Sequence, residues 1–168
     1  PDVSAILNLS PDHLDRHGSM TNYAAAKAAA IKNVKSEGLI ILGNDASLLA
    51  LLPVEYTCQL HQITQTDTPY ATIENFALSG SHNAENAAVA ASICRYFDIS
   101  EQQINKAILS FKGLPHRLQL VASCNLGGNQ LRVINDSKAT NDAAASKALS
   151  SFKHIFWCAG GLAKEKKL

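Results

Sequence analysis

The sequence predicts an α/β fold with parallel strand pairing, and three observations carry that prediction. Short apolar runs such as Leu39-Ile-Ile-Leu42 alternate with Ala-rich stretches that follow the longer helical period. Strand, helix and strand follow one another in that order, which favours parallel neighbours. Polar residues collect where the apolar runs stop, the edge at which open α/β sheets keep their ligands.

Taken in order, residues 5–9 read as a strand, and residues 20–35 as a helix capped by Ser19 or Thr21. Residues 39–42 form a short buried strand that turns at Gly43-Asn44-Asp45. Residues 53–69 are weakly patterned, and no element is assigned there. Helices follow at 83–96, with Asn83 contributing a cap, and at 101–111, capped by Ser100. At Lys112-Gly113-Leu114-Pro115 the helical pattern breaks, because Pro115 disfavours helix at Leu114 and Gly113 offers a hinge. A domain boundary is placed near residue 113. Beyond it, residues 118–124 and 130–134 read as strands around the turn Asn125-Leu-Gly-Gly-Asn129. A helix at 141–152, a strand at 154–158 and the loop Ala159-Gly160-Gly161 complete the chain. Both ends look cut, which suggests a fragment of a longer chain.

Composition narrows the function classes. Hydrophobic residues make up 46% and charged residues 17% of the 168, a balance that supports a packed core rather than disorder. A formal net charge of +1 gives no polycationic field for nucleic acid or an anionic membrane, so any attraction for phosphate has to come from local placement. Cys58, Cys94, Cys124 and Cys158 are widely spaced without a C-x-x-C pair, which fits small apolar side chains in a reducing cytosol. No apolar run approaches the roughly 20 residues of a membrane span.

Four clusters carry chemistry: "NLSPDHLDRH" with Lys27 behind it, "GSHNAENAA", "GLPHR" and "NDSKATN". In the first, His13 and Asp15 taken alone suit a turn as well as a ligand site, and Lys27 in "YAAAKAAA" suits an exposed face of a helix. His13 and His17 lack the glutamate of H-E-x-x-H, which argues against a zinc protease. In the second, Asn83 and Asn86 share one face of the first helical turn, and a carboxamide can both donate to and accept from a nucleotide. In the third, His116 and Arg117 follow the hinge, where a guanidinium suits either a surface ion pair or a phosphate clamp. In the fourth, an apolar run stops at Asp136-Ser137-Lys138 just before Thr140 and Asn141. A turn and a helix cap explain Asn141 but leave Lys138 unexplained, because an ammonium beside a helix N-terminus is unfavourable unless an anion joins it.

Together these stretches, in this order from about residue 3 to residue 164, resemble the Mur ligases, ATP-dependent amide-forming enzymes of peptidoglycan synthesis. The wording of "GLPHR" with "NDSKATN" is similar to the branch that adds D-glutamate to UDP-N-acetylmuramoyl-L-alanine. The resemblance implies part of a P-loop-type central ATPase domain with a mostly parallel sheet over residues 1–113. It implies the start of a Rossmann-like C-terminal, amino-acid-binding α/β domain over residues 114–168. It further implies ATP and Mg²⁺ as cofactors, small-molecule substrates, no nucleic acid or membrane partner, and a monomeric cytoplasmic enzyme. His13 resembles a magnesium ligand, and Lys27 the lysine that the family carries as a carbamate, an oxygen ligand suited to a hard cation. Asn83, Asn86, Arg117 and Asp136 resemble nucleotide contacts. Lys27, Lys138 and His116 stand as catalytic candidates, with Lys138 resembling a residue near the transferred phosphate, while Thr140, Lys138 and Lys164 resemble residues that hold the incoming amino acid.

The departures carry expectations too. The family's G-x-x-G-K-[ST] phosphate loop is not among these residues, nor is the part that grips the uridine nucleotide. The 168-residue piece alone is therefore expected to be inactive. Two other readings stand beside the D-glutamate ligase: a sibling ligase that adds another amino acid, and a non-catalytic nucleotide-binding module. A carbamate on Lys27 separates the enzymes from the module.

Overall fold

The structure, a computed structural model, describes residues 1–53, 55–64, 67 and 80–161. Three strands, β1 (Val3–Ile6), β2 (Leu39–Leu42) and β3 (Gln59–Gln62), form a parallel sheet in sequential order. Val3 pairs with Leu39, and Leu39 in turn with Gln59. All four residues of β2 are buried, as a central parallel strand covered on both faces requires.

The strand's period of two divides the core between those faces. Leu39 and Ile41 join Ile63, Ala84, Ala88, Ala91 and Ile104 on one side. Ile40 and Leu42 join Ile6, Ala28, Ile31, Leu48 and Leu51 on the other. The second cluster places helix α2 (Met20–Lys32) and a 3-10 helix (Ala46–Leu51) against the sheet, and the first places α3 (Ser81–Tyr96) and α4 (Glu101–Ser110). Ile40, Ile41 and Leu42 lie within 1% of complete burial. Each contributes about 1.5–3 kcal/mol through removal from water.

Local chemistry sets the helix ends. Ser19 caps α2 by accepting the Asn22 N–H, so the nearer of the two expected caps is the one used. The helix stops at Lys32, three residues short of the expected end. The Lys35 N–H is taken by the Pro1 carbonyl, and its ammonium reaches Asp2 at 2.7 Å. A four-residue helix, α1 (Leu14–His17), precedes α2. Ser100 and Gln103 close a capping box on α4.

Three expectations are corrected, at β1, at α3 and at residues 154–158. Strand β1 ends at Ile6 rather than at residue 9, since the Gly43 N–H to the Ile6 carbonyl is the ladder's last bond. Helix α3 begins at Ser81 with Gly80 as its cap residue, so Asn83 lies inside the first turn and does not cap. Beyond the hinge, β4 (Gln119–Leu126) and β5 (Asn129–Asn135) pair antiparallel through the Gly127-Gly128 turn, with an irregularity between Leu120 and Ala122. The two strands expected around that turn are thus present, while the parallel pairing is that of β1, β2 and β3. Residues 154–158 form no strand: among the described residues no neighbouring strand offers them a ladder, and Phe156 is 96% exposed. Helix α5 (Asp142–Leu149) follows β5, and Asn141 caps it by accepting the Ala144 N–H at 2.9 Å, as expected. No helix among the described residues is long and apolar enough to cross a membrane.

Candidate active site

Parallel strands that share one direction put their carboxyl ends along a single edge, and the chain leaves β1 and β2 there toward the first motif and the Asn44 turn. Where β1 ends, a hollow of about 280 Å³ opens, lined by Leu7, Asn8, Ala26, Lys27 and Ala30 among others. The alanines of α2 leave that space because they carry no bulk. Lys27 is half-buried in its wall, with Nζ 5.1 Å from the centre of the Tyr23 ring. It is therefore not the freely solvated lysine that an Ala-rich helix alone would suggest. His13 lies at the start of α1, exposed, with its backbone N–H on the Asp12 carboxylate at 3.0 Å and its ring 3.6 Å from the same group.

These side chains do not by themselves make a metal site. Among the described residues no group of three or more His, Cys, Asp or Glu is placed to hold an ion. Lys27 as an ammonium would repel a cation. The residues fit Mg²⁺ only if Lys27 is converted to an anion.

At the end of β2 the chain is held to α3. A Glu85 carboxylate oxygen accepts the Asn44 N–H at 2.7 Å. Gly43 lies between them, and a Cβ there would come within 1.9 Å of the Leu7 carbonyl oxygen and 2.5 Å of Glu85 Oε1. Only glycine permits that approach. Beside this junction lies a cavity of about 350 Å³, lined by Asn44, His82 and Glu85 and, from α5 and the turn after it, by Lys147, Ser150 and Ser151. Burial, and then the Lys147 ammonium, push the His82 imidazole below its usual pKa, while Asp136 and Glu85 pull it up. Asn83 and Asn86 are each one residue on from His82 and Glu85, about 100° round the helix. Asn86 is exposed, and its Nδ2 donates to Asn83 Oδ1 at 3.5 Å.

The third and fourth motifs meet in one hydrogen-bonded clamp. The Asp136 carboxylate accepts the Leu118 N–H at 3.0 Å, and Asn135 Nδ2 meets His116 Nδ1 at 3.0 Å. The Lys138 N–H donates to the His116 carbonyl at 3.1 Å. The backbones that carry Arg117 and Lys138, two exposed cations, are thus fixed side by side. Thr140 follows, exposed, just before the α5 cap. Lys164 lies outside the described residues.

Residues 1–94 match the Mur ligase middle domain. The chain belongs to the Mur ligase family. Among curated Mur ligases, the UDP-N-acetylmuramoylalanine--D-glutamate ligase of Novosphingobium aromaticivorans is 37% identical over 99% of this chain and 38% of its own length. The enzyme of that name from Cereibacter sphaeroides is 38% identical over 98% of this chain and 41% of its own length. That from Agrobacterium fabrum is 38% identical over 98% and 39%. The chain thus spans about two fifths of the length of these relatives. The crystal structure of MurF from Acinetobacter baumannii, another Mur ligase, superposes with a TM-score of 0.64 at 20% identity, over 91% of this chain and 38% of that one. At that identity the likeness speaks for the α/β fold.

In this Mur ligase chain, sequence reasoning missed His82, Glu85, Asn135 and Lys147. His82 stands inside the motif "GSHNAENAA", yet its partner Lys147 lies far along the chain, and only folding brings the two to one cavity.

Proposed function

We propose that this chain is part of an ATP-dependent ligase that adds D-glutamate to UDP-N-acetylmuramoyl-L-alanine through an acyl phosphate. One observation carries the choice of amino acid. The relatives named for D-glutamate match 97–99% of this chain, and so include the "GLPHR" and "NDSKATN" clamp, which lies beyond the family match over residues 1–94. We assign residues 1–113 to part of a P-loop-type central ATP-binding domain, without its phosphate loop, and residues 114–168 to the start of a Rossmann-like C-terminal domain that binds the amino acid. The complete enzyme is read as monomeric and cytoplasmic.

The chemistry explains why cations are needed. A carboxylate is a poor electrophile, so its oxygen first attacks the terminal phosphorus of ATP and ADP leaves. The amine of D-glutamate then attacks the acyl carbon, loses a proton, and phosphate departs with the C–O bond's electrons. Several anions crowd together in both steps, and fixed positive groups lower that cost. Arg117 and Lys138, held together by the clamp, supply two such groups at the phosphates. Asn83, Asn86 and Asp136 are assigned to the nucleotide, and Thr140, Lys138 and Lys164 to the D-glutamate carboxylates. His13 and a carbamylated Lys27 would hold Mg²⁺, which supplies charge neutralisation at the phosphates when bound.

The test is amino-acid dependence in the complete protein. ADP release with ATP and UDP-N-acetylmuramoyl-L-alanine should require D-glutamate and should not occur with meso-diaminopimelate or L-lysine. Turnover with either of those and not with D-glutamate would identify a sibling ligase. No turnover with any would leave the nucleotide-binding module as the better reading.

A further inference from the structure

The clamp determines where His116 carries its proton. Asn135 Oδ1 accepts the Ser137 N–H at 3.1 Å, so a backbone donor fixes which way the amide points. Its Nδ2 therefore faces His116 Nδ1 across 3.0 Å. An amide nitrogen donates and does not accept. Nδ1 must then be the acceptor, and the neutral ring keeps its proton on Nε2. The backbone of His116 is held as firmly as its ring. Its N–H donates to Gln119 Oε1 at 2.9 Å, and its carbonyl accepts from Lys138. With φ at 64°, His116 lies in the left-handed region that side chains rarely adopt, and these three contacts keep it there.

We propose that Asn135 is a positioning residue that locks His116 as the Nε2–H tautomer, so that the ring presents a hydrogen-bond donor, not a base, beside Arg117 and Lys138. His116 is exposed, and its Nε2 is the ring nitrogen left for a ligand. The consequence for the reaction rests on the ligase reading. A neutral donor set next to two cations suits an anionic phosphate or carboxylate oxygen. It leaves His116 unable to take the amine's proton at Nε2, so that proton goes to another acceptor.

Two measurements test this separately. The first is the nitrogen NMR spectrum of ¹⁵N-histidine-labelled protein, with Asn135→Asp as the perturbation. In the wild type, Nδ1 of His116 should resonate as an unprotonated nitrogen and Nε2 as a protonated one. An aspartate keeps an acceptor for the Ser137 N–H but offers the ring only acceptors, so the proton should move to Nδ1. A protonated Nδ1 in the wild type, or an unchanged ring spectrum in Asn135→Asp, would overturn the lock. The second compares His116→Gln with His116→Ala in the ligase reaction of the complete protein. Glutamine has an acceptor for Asn135 and a donor for the ligand but no basic nitrogen. It should keep turnover within about tenfold, whereas alanine should lose on the order of 10²-fold. Equal losses in both variants would overturn the donor role. If the complete protein shows no ligase activity, the ligase reading fails while the nitrogen spectrum still decides the tautomer.

Discussion

A carboxylate oxygen of Asp136 accepts the backbone N–H of Leu118 at 3.0 Å, which ties the exit of β5 to the entry of β4. Leu118 is half-buried and has φ at 45°, a conformation that leucine does not choose unaided. Replacement Asp136→Ala strands that N–H and releases the turn, and should destabilise the protein by about 1–3 kcal/mol. Asp136→Asn keeps an acceptor oxygen and should cost less than half as much. Urea unfolding of the two variants checks the order, and equal losses would contradict a hydrogen-bonding role. If Asp136 also contacts the nucleotide, Asp136→Asn should weaken ATP binding more than it weakens the fold.

Gly43 provides a second test, in the first lobe. A methyl group there meets the Leu7 carbonyl at 1.9 Å, and backbone cannot yield as the far end of a side chain does. Gly43→Ala should therefore cost at least the roughly 1–3 kcal/mol of an overpacked site. It should also disturb Asn44 and Glu85, whose hydrogen bond joins β2 to α3. Gly128→Ala is a useful control, because its Cβ would meet nothing within 4 Å and only its φ of 81° opposes the change. Thermal melting should fall further for Gly43→Ala than for Gly128→Ala.

The parts of the fold that were legible in the sequence are those in which neighbouring residues decide the outcome. Leu39-Ile-Ile-Leu42 announces a buried strand, and Ser100 announces a helix start. β3, Gln59–Gln62, gives no such signal because three of its four residues are polar and its partner β2 supplies the order. The opposite holds at His154-Ile-Phe-Trp-Cys158, where strand-like residues find no ladder among the described residues. The site divides in the same way. Arg117 and Lys138 stand out as charges in unusual places, but the contacts that join their motifs span eighteen and nineteen positions and carry no local signal.

Lys27 bears on whether the first lobe works as an enzyme. Its nitrogen stands over Tyr23 beside the exit of β1, where an ammonium would oppose a metal. In the carbamate reading, the neutral amine attacks carbon dioxide, the nitrogen loses a proton, and an anionic oxygen ligand replaces the cation. Native mass spectrometry in bicarbonate should show an added mass of one carbon dioxide that disappears on acidification and is missing from Lys27→Ala. In the complete protein, Lys27→Ala should lose at least about 10²-fold in turnover, as expected when charge stabilisation at the phosphates is removed. Short carboxylates should restore part of it. A fully active Lys27→Ala enzyme would remove the metal role from this residue.

The depressed His82 pKa predicts how the protein responds to mild acid. Burial first, and Lys147 second, disfavour the charged imidazole in the folded state, while the unfolded chain titrates at the ordinary histidine value. The unfolded state therefore takes up the proton first as pH falls. The stability that His82 contributes is complete above the ordinary histidine pKa and is lost progressively below it, until the folded pKa is reached. Several carboxylates titrate low for other reasons. Lys35 holds Asp2 down, the Ser47 hydroxyl holds Asp45, the Thr64 hydroxyl holds Asp67, and Arg95 holds Glu101. Their contributions share the same sign but are lost only below the carboxylate range, so the interval from about pH 7 to about pH 5 isolates the histidine. Melting temperatures across that interval should fall for the wild type and fall less for His82→Gln. Lys147→Ala should also flatten the response, because it removes the second cause of the shift. Parallel curves for wild type and His82→Gln would mean that the imidazole is solvated, and that the cavity beside it is more open than its lining suggests.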